Sequence, residues 1–422
     1  VIRFANIGAE NIQPVRLMLV ILILLCCGIG FAQPVELRTD RNVYPTGLAG
    51  EYVEFTVLAG IDDWFDPDPW MADPWNAEPW GDFEAGERAF RFTIVIAGVD
   101  TLTLPLVDDS NEIEAYVDWG DGTESVITSW DDPDKVHPYA AAGTYYVVIR
   151  GKLSGWQFNN GGDKNLITEI SEWGILVLSK GSAFYGCSNL DVTAIDAPRV
   201  NGTSVLFRTF RDCLSLTSIG SIFGWNGSNL NGLGNDFIFN CILFSQDLGA
   251  LNVSLLTAAS YMFYNTDSYD HSFAFWDLLS MTAMTSFMQN STGLSKSNYD
   301  ATLIGWNNNP NTPNSLSVDF GGSQFSRGSR YISSTTTGVA VNKLIDAGQT
   351  FTSNNIEDVI WNTTDGSWAR ITALDDANTL SLDTDIMDNA DDYKLFSSDA
   401  AKAKADMILD KSTTIADGGD AS

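Results

Sequence analysis

Between Phe184 and Leu294 one short motif returns five times, and this recurrence narrows the folds open to the chain more than any other feature. The motif is an apolar residue, two variable residues, a small residue, and a second apolar residue three places further on. Its copies are FYGCSNL from Phe184, FRDCLSL from Phe210, IFNCILF from Ile238, FYNTDSY from Phe263 and MQNSTGL from Met288. Their leading residues lie 26, 28, 25 and 25 positions apart. A unit this short cannot bury an apolar face alone and does so only against a neighbouring copy. The period therefore predicts a solenoid. Phe184, Phe210, Ile238, Phe263 and Met288 would stack as one column, and Leu190, Leu216, Phe244, Tyr269 and Leu294 as another. Solenoids expose long regular faces, so recognition is the expected role before catalysis.

Each coil is expected to carry a short helical turn at the F-x-x-C element, then an L-x-x-L-like strand, then a return. The small slots are Cys187, Cys213, Cys241, Thr266 and Ser291. Neighbouring coils lie about 4.8 Å apart, within reach of a disulfide. Cysteine is also a small buried residue in its own right, and Thr266 and Ser291 fill the slot without sulfur. Unbridged stacking is the preferred reading, with one bridge among the three cysteines as the alternative. After Leu294, SKSNYDATLIGW is expected to close the stack with Tyr299, Leu303, Ile304 and Trp306, because end coils need a cover.

Charge excludes one class of partner. The chain has 54 acidic against 23 basic residues, a net of −31. Such a polyanion is repelled by phosphate backbones, so nucleic-acid binding is not expected. The excess favours solubility in an open medium and attraction to Ca²⁺ or basic partners. Residues 1–32 read as a secretory signal peptide: Arg16 precedes the apolar run Leu17–Ala32, and Gly30 and Ala32 stand at −3 and −1 before Gln33. The run is short for a lasting membrane span, so no stable insertion is expected after cleavage; an uncleaved anchor is the alternative. Strand patterns follow in 33–97, interrupted by an acidic Pro/Trp-rich loop at 61–87. Proline there excludes helix interior and central strand. Trp70, Trp75 and Trp80 are candidates for stacking on sugars or docking on a partner, and a plain spacer is the alternative.

From Phe90 to Gly151 strand patterns resume. Val117-Asp118-Trp119-Gly120-Asp121-Gly122-Thr123 reads as a strand entering a glycine-rich turn. His137, Tyr139, Gly143, Tyr145, Val147 and Ile149 read as a turn followed by a period-two strand. Together they resemble the signature of PKD-type domains, small immunoglobulin-like β-sandwiches of extracellular proteins, over roughly residues 98–151. The chain departs from that pattern in lacking an obvious full set of upstream strands. Asp118, Asp121 and Asp131 gather near this turn, with Asp132 and Asp134 beside them. Oxygen ligands on loops suit Ca²⁺, so calcium is the one cofactor considered; aspartates capping their own turns are the alternative.

With AFYGCSNL, FWDLLSMTAMTSFM and LSKSNYDATLIGW added, residues 98–355 resemble BspA-like leucine-rich-repeat surface proteins of bacteria. Trp276, Asp277, Met281, Met284 and Met288 follow that repeat motif well, and Leu251, Asn252, Leu256 and Phe263 follow it loosely. The resemblance implies a mainly β protein with short helices, a PKD-like sandwich followed by a leucine-rich-repeat-type solenoid, and an adhesive role. On this reading the chain divides into a signal peptide (1–32), an N-terminal β segment (33–97), the PKD-like sandwich (98–151), the solenoid with its cap (152–306), a following segment (307–355) and a C-terminal β and polar tail (356–422). No G-x-S-x-G, H-E-x-x-H or phosphate-loop motif is present, and His137 and His271 are the only histidines. The expectation is a non-catalytic protein, secreted or at the cell surface, that binds an extracellular protein or glycan. A structural or virion-associated fibre component is the second reading.

Overall fold

The computed structural model describes Ile2–Arg3, Glu54–Phe55 and residues 88–201, 206–225 and 232–421. The two short segments pair antiparallel, Ile2 opposite Phe55. The rest of the leader expected at 1–32, and Trp70, Trp75 and Trp80, lie outside the described residues. The unit that begins at Gly86 is mainly β, with short helices at Ile222–Trp225, Lys296–Asn308 and Asp399–Lys411.

Period-two alternation builds the first sheet. In Phe90–Ile96 the residues Phe90, Phe92, Ile94 and Ile96 are all buried. This strand pairs antiparallel with Gly143–Lys152 on one side, Phe92 opposite Val147, and with Ile167–Glu172 on the other. Across the sheet the order is Asp191–Val192, Ile167–Glu172, Phe90–Ile96, Gly143–Lys152, Glu114–Asp118, Glu124–Ile127. A separate ladder, Asp100–Thr103 with Val136–Tyr139, adds Leu102 and Tyr139 to the same core. Thus the sheet that takes Glu114–Asp118, Glu124–Ile127 and Gly143–Lys152 from the stretch expected at 98–151 takes a central strand from upstream of Gly98 and two from downstream of Gly151. Ile167–Glu172 pairs antiparallel with Phe90–Ile96 and parallel with Asp191–Val192, so the first coil of the repeats is also a strand of this sheet.

From there the chain climbs in parallel coils. Backbone N–H groups of Ser182, Phe184 and Gly186 donate to carbonyls of Phe207, Thr209 and Arg211. Those of Arg208, Phe210 and Asp212 donate to Asn235, Phe237 and Phe239. Asp236, Ile238 and Asn240 continue to Ser260, Met262 and Tyr264, and Tyr261, Phe263 and Asn265 to Thr285, Phe287 and Gln289. The fifteen apolar and small motif positions are all buried, with Ser291 the most exposed at 7%. Phe184 and Phe210 stack 5.7 Å apart, 8° from parallel.

At each F-x-x-C element, where a short helical turn was expected, the chain makes a single hydrogen-bonded turn that goes no further. Two residues of each coil have positive φ, two places before and two after the leading apolar residue. The pairs are Ser182/Gly186, Arg208/Asp212, Asp236/Asn240, Tyr261/Asn265 and Ser286/Asn290. A left-handed residue on each side stops a right-handed helix from propagating. One turn remains between them, closed by bonds such as Cys187 N–H to Phe184 C=O at 3.1 Å.

The stack extends beyond the five copies at both ends. Phe158 N–H donates to Ala183 C=O and Asn160 N–H to Tyr185 C=O, with Phe158 to Gly161 forming the same closed turn. Downstream, Met288 N–H donates to Asp319 C=O, and Ser317–Asp319 pairs parallel with Thr414–Ala416. Between these rungs Lys296–Asn308 forms a helix that buries Tyr299, Thr302, Leu303 and Trp306, with Ile304 half-buried, and Trp306 Nε1 donates to Phe273 C=O at 2.8 Å. It covers the side of the stack, while 317–323 and 414–419 carry the coil end further. A second six-stranded antiparallel sheet follows, ordered Ile332–Thr335, Asp392–Phe396, Val359–Asn362, Trp368–Asp376, Thr379–Leu382, Lys343–Ile345. It draws strands from both sides of Asn355. The helix Asp399–Lys411, capped by the Ser398 hydroxyl accepting from Ala401 N–H, packs its apolar side inward: Ala400, Ala401, Ala403, Ala405 and Met407 are buried.

Candidate binding face of the repeat stack

A parallel coil repeats its side chains in register, so residues at one motif position form a column. At the position after the leading apolar residue the column is Tyr185, Arg211, Phe239, Tyr264 and Gln289. The Arg211 guanidinium carbon lies 5.6 Å from the Tyr185 ring centroid and 3.9 Å from that of Phe239. Phe239 and Tyr264 stack 4.5 Å apart, 2° from parallel. The neighbouring column, one of the two left-handed positions, holds Ser182, Arg208, Asp236, Tyr261 and Ser286. Asp236 sits between two arginines, 2.6 Å from Arg211 Nη1 and 3.4 Å from Arg208 Nε. Arg208 is 41% exposed at its side chain and Tyr261 39% overall. Arg211 Nε is buried without a hydrogen-bond acceptor, with Asp212 Oδ2 3.7 Å away.

The two columns differ in what the backbone asks of them. The second left-handed position of each coil holds Gly186, Asp212, Asn240, Asn265 or Asn290, residue types that tolerate this conformation. Their side chains also bridge coils: Asn240 Nδ2 donates to Asp212 Oδ1 at 2.9 Å, and Asn265 Nδ2 to Asn240 Oδ1 at 2.6 Å. The first position holds Arg208 and Tyr261 instead, at φ of 53° and 57°. Each costs roughly 1–2 kcal/mol against a glycine. Both residues thus hold a backbone conformation that their side chains do not favour. In a chain of net −31, a strip of two arginines among Tyr185, Phe239, Tyr261 and Tyr264 also stands apart chemically. Nothing in the one-dimensional period distinguishes these columns. The signal that could have found them is the recurrent Gly, Asp or Asn just before each small slot.

The small slots are donors as well as fillers. Cys213 Sγ reaches Phe184 C=O at 3.1 Å, Cys241 Sγ reaches Phe210 C=O at 2.9 Å, and Thr266 Oγ1 donates to Ile238 C=O at 3.1 Å. Each binds the carbonyl one coil back, which is why sulfur and hydroxyl interchange there. Cys187, Cys213 and Cys241 are free and buried, and burial pushes all three thiols well up from their ordinary value. Such buried thiols are poor nucleophiles.

Around the first sheet, the residues of the expected PKD-like motif form one knot. Trp119 is fully buried and stacks on His137, centroids 4.6 Å apart at 9°. The Tyr139 hydroxyl donates to Trp119 C=O at 2.9 Å, and that of Tyr145 to Ala141 C=O at 2.9 Å. Gly120 has φ +79°, and a Cβ there would lie 2.7 Å from the Tyr146 carbonyl oxygen; Gly122 also has positive φ, while Gly143 begins the long strand. Asp121 Oδ2 meets His137 Nε2 at 2.9 Å, and its Oδ1 accepts from Thr123 N–H and hydroxyl. Burial raises the Asp121 carboxyl, and the Thr123 and His137 bonds more than offset it, leaving it below its ordinary value. Asp118 accepts from Gly120 N–H and Asp131 from the Ser129 hydroxyl. The three candidate calcium ligands are thus each engaged in local bonds, and among the described residues no group of three or more His, Cys, Asp or Glu side chains is arranged to hold a metal ion. His271 Nε2 lies 3.0 Å from Ser245 C=O, one coil away. Among the described residues no helix is long and apolar enough to cross a membrane.

A sequence-family model described as "Mycoplasma protein of unknown function, DUF285" matches residues 179–301, the stretch holding the five copies. No curated protein and no solved structure matches the chain.

Proposed function

We propose that this is a non-catalytic, exported surface protein whose leucine-rich-repeat-type solenoid binds an extracellular protein or glycan, with a PKD-like sandwich carrying it. The observation that supports the reading most is the strip formed by Tyr185, Arg208, Arg211, Phe239, Tyr261 and Tyr264, repeated coil by coil and strained at Arg208 and Tyr261. Aromatic edges and arginines offer apolar contact and charge-assisted donors together, a pairing that suits recognition surfaces. Affinity would be the sum of modest contacts along the stack. The BspA-like resemblance argues for the same role.

The test is binding of the purified chain to an array of glycans and extracellular proteins, with and without Ca²⁺. The strip is removed by the double substitution Arg208→Ser and Tyr261→Asn, which keeps types compatible with the turns. A ligand lost by more than tenfold with an unchanged circular dichroism spectrum supports this face. Binding that survives the substitutions moves recognition elsewhere. An array without any ligand favours the structural-fibre reading.

A further inference from the structure

Where the C-terminal helix meets the last rung of the stack, a lysine and an aspartate are sealed together. Asp417 follows the strand Thr414–Ala416, and Lys404 lies on the helix Asp399–Lys411. Their side chains are 4% and 7% exposed, and Lys404 Nζ is 2.7 Å from Asp417 Oδ2. The fully buried Tyr299, from the helix Lys296–Asn308, donates its hydroxyl to that same oxygen at 2.5 Å. The other carboxyl oxygen, Oδ1, accepts the backbone N–H of Gly419 at 3.0 Å. Rings of Phe325 and Trp368 flank the ammonium, their centroids 4.8 and 5.8 Å from Nζ.

These contacts satisfy a buried ion pair, and they also match what an acyl transfer to nitrogen requires. The nitrogen is held against the carboxyl group. One oxygen has a phenol to protonate it, and the other an amide N–H to hold the charge that develops as nitrogen attacks. Burial, with Asp417 beside it, pushes the Tyr299 phenol well above its ordinary value, so it keeps its proton through the neutral range. The surroundings exclude the water that would reverse the step.

We propose that Lys404 and Asp417 condense into an intramolecular amide. The ammonium first gives one proton to Oδ2 of the carboxylate. The Nζ lone pair then attacks Cγ while Gly419 N–H holds Oδ1. A second proton leaves nitrogen for Oδ2, relayed through the Tyr299 hydroxyl, and the Cγ–Oδ2 bond breaks. The products are one Nζ–Cγ amide and one water, with no change of oxidation state and no co-reactant. The bond fastens the helix to the strand that closes the stack. Lys394 and Asp420 provide an internal control. They are equally close at 2.6 Å, but Lys394 is 26% exposed and Asp420 is also paired with Arg327. No phenol is among the hydrogen-bond partners of Asp420, and no condensation is expected there.

The experiment is peptide-level mass spectrometry of the purified full chain after long incubation at neutral pH. Trypsin does not cut after an acylated lysine. The expected result is a branched peptide joining Ala403–Lys411 to Ser412–Ser422, lighter by one water than its two parts. Lys404→Arg and Asp417→Ala should each abolish it, and Tyr299→Phe should slow its formation at least tenfold. Complete cleavage after Lys404 in the wild-type chain, with every peptide at full mass, would overturn the proposal without any variant having to fold. A branched peptide formed at an unchanged rate in Tyr299→Phe would remove the tyrosine from it.

Discussion

At the scale of single residues, the stack depends on left-handed positions that few side chains accept. Asn240 combines two tasks there: its backbone has φ 59° and its amide links Asp212 to Asn265. Asn240→Gly keeps the first and loses the second, and should cost about 1 kcal/mol. Asn240→Ala loses both and should cost about 2–3 kcal/mol. Urea unfolding of the two variants, compared at constant slope, checks the order. Asp121 makes a second, pH-dependent prediction. Its carboxyl is lower in the folded state than in the unfolded chain, so the stability it contributes is fully present above the unfolded value of about 3.9 and is lost as pH falls through the folded value below it. Asp121→Asn should therefore lower stability at neutral pH and leave it less sensitive to acid below about pH 4. Melting temperature measured against pH for both proteins decides it, and parallel curves would refute the assignment.

At the scale of one element, the coil explains what the letters could and could not convey. The leading apolar residue, the small slot and the second apolar residue are readable because each is buried against its copy. The coil around Phe320 is harder to see. It lies 32 residues after Met288 instead of 25, because the helix Lys296–Asn308 is inserted, and its sequence FGGS lacks an apolar residue three places past the small slot. It shares the closed turn and the burial but not the pair of left-handed residues: Ser323 N–H bonds to Phe320 C=O at 3.2 Å, Phe320 is fully buried beside Tyr299 and Trp306, and the positive φ falls at Gly321, one place after Phe320 rather than two. Phe320→Ala should therefore destabilise as a core truncation does, by about 3–5 kcal/mol. A loss under about 1 kcal/mol in denaturant titration would mean that this coil lies outside the cooperative core. The column of Tyr185, Arg211, Phe239 and Tyr264 was illegible for a different reason. Its members share no single residue type, so no period betrays them, and the one trace in the letters is the Gly, Asp or Asn that follows each of them and holds the left-handed backbone.

At the scale of the molecule, continuity of hydrogen bonding decides what moves together. Ile167–Glu172 belongs to the first six-stranded sheet and to the first coil at once. A boundary drawn from motif positions near Gly151 cannot reveal this, because strands that complete a sheet need carry no motif of their own. Ile170 is fully buried in that shared strand. Ile170→Ala, expected to cost about 2–5 kcal/mol, should shift a single unfolding transition seen alike by tryptophan fluorescence, which reports Trp119 beside the first sheet and Trp276 of the stack, and by far-ultraviolet dichroism. Separation into two transitions would show that the first sheet and the stack unfold independently.

The rung formed by Thr414–Ala416 against Ser317–Asp319 has a further consequence, one of timing. Roughly a hundred residues separate the two strands, a closure slow by the standards of local coils. A ribosome that has emitted everything through Ile408 has produced coils able to zip one onto the next, while the edge at Ser317–Asp319 still presents unmet donors and acceptors. Such an edge recruits any strand it encounters, including one from another nascent chain. The protein therefore has a vulnerable interval between making its repeats and sealing them.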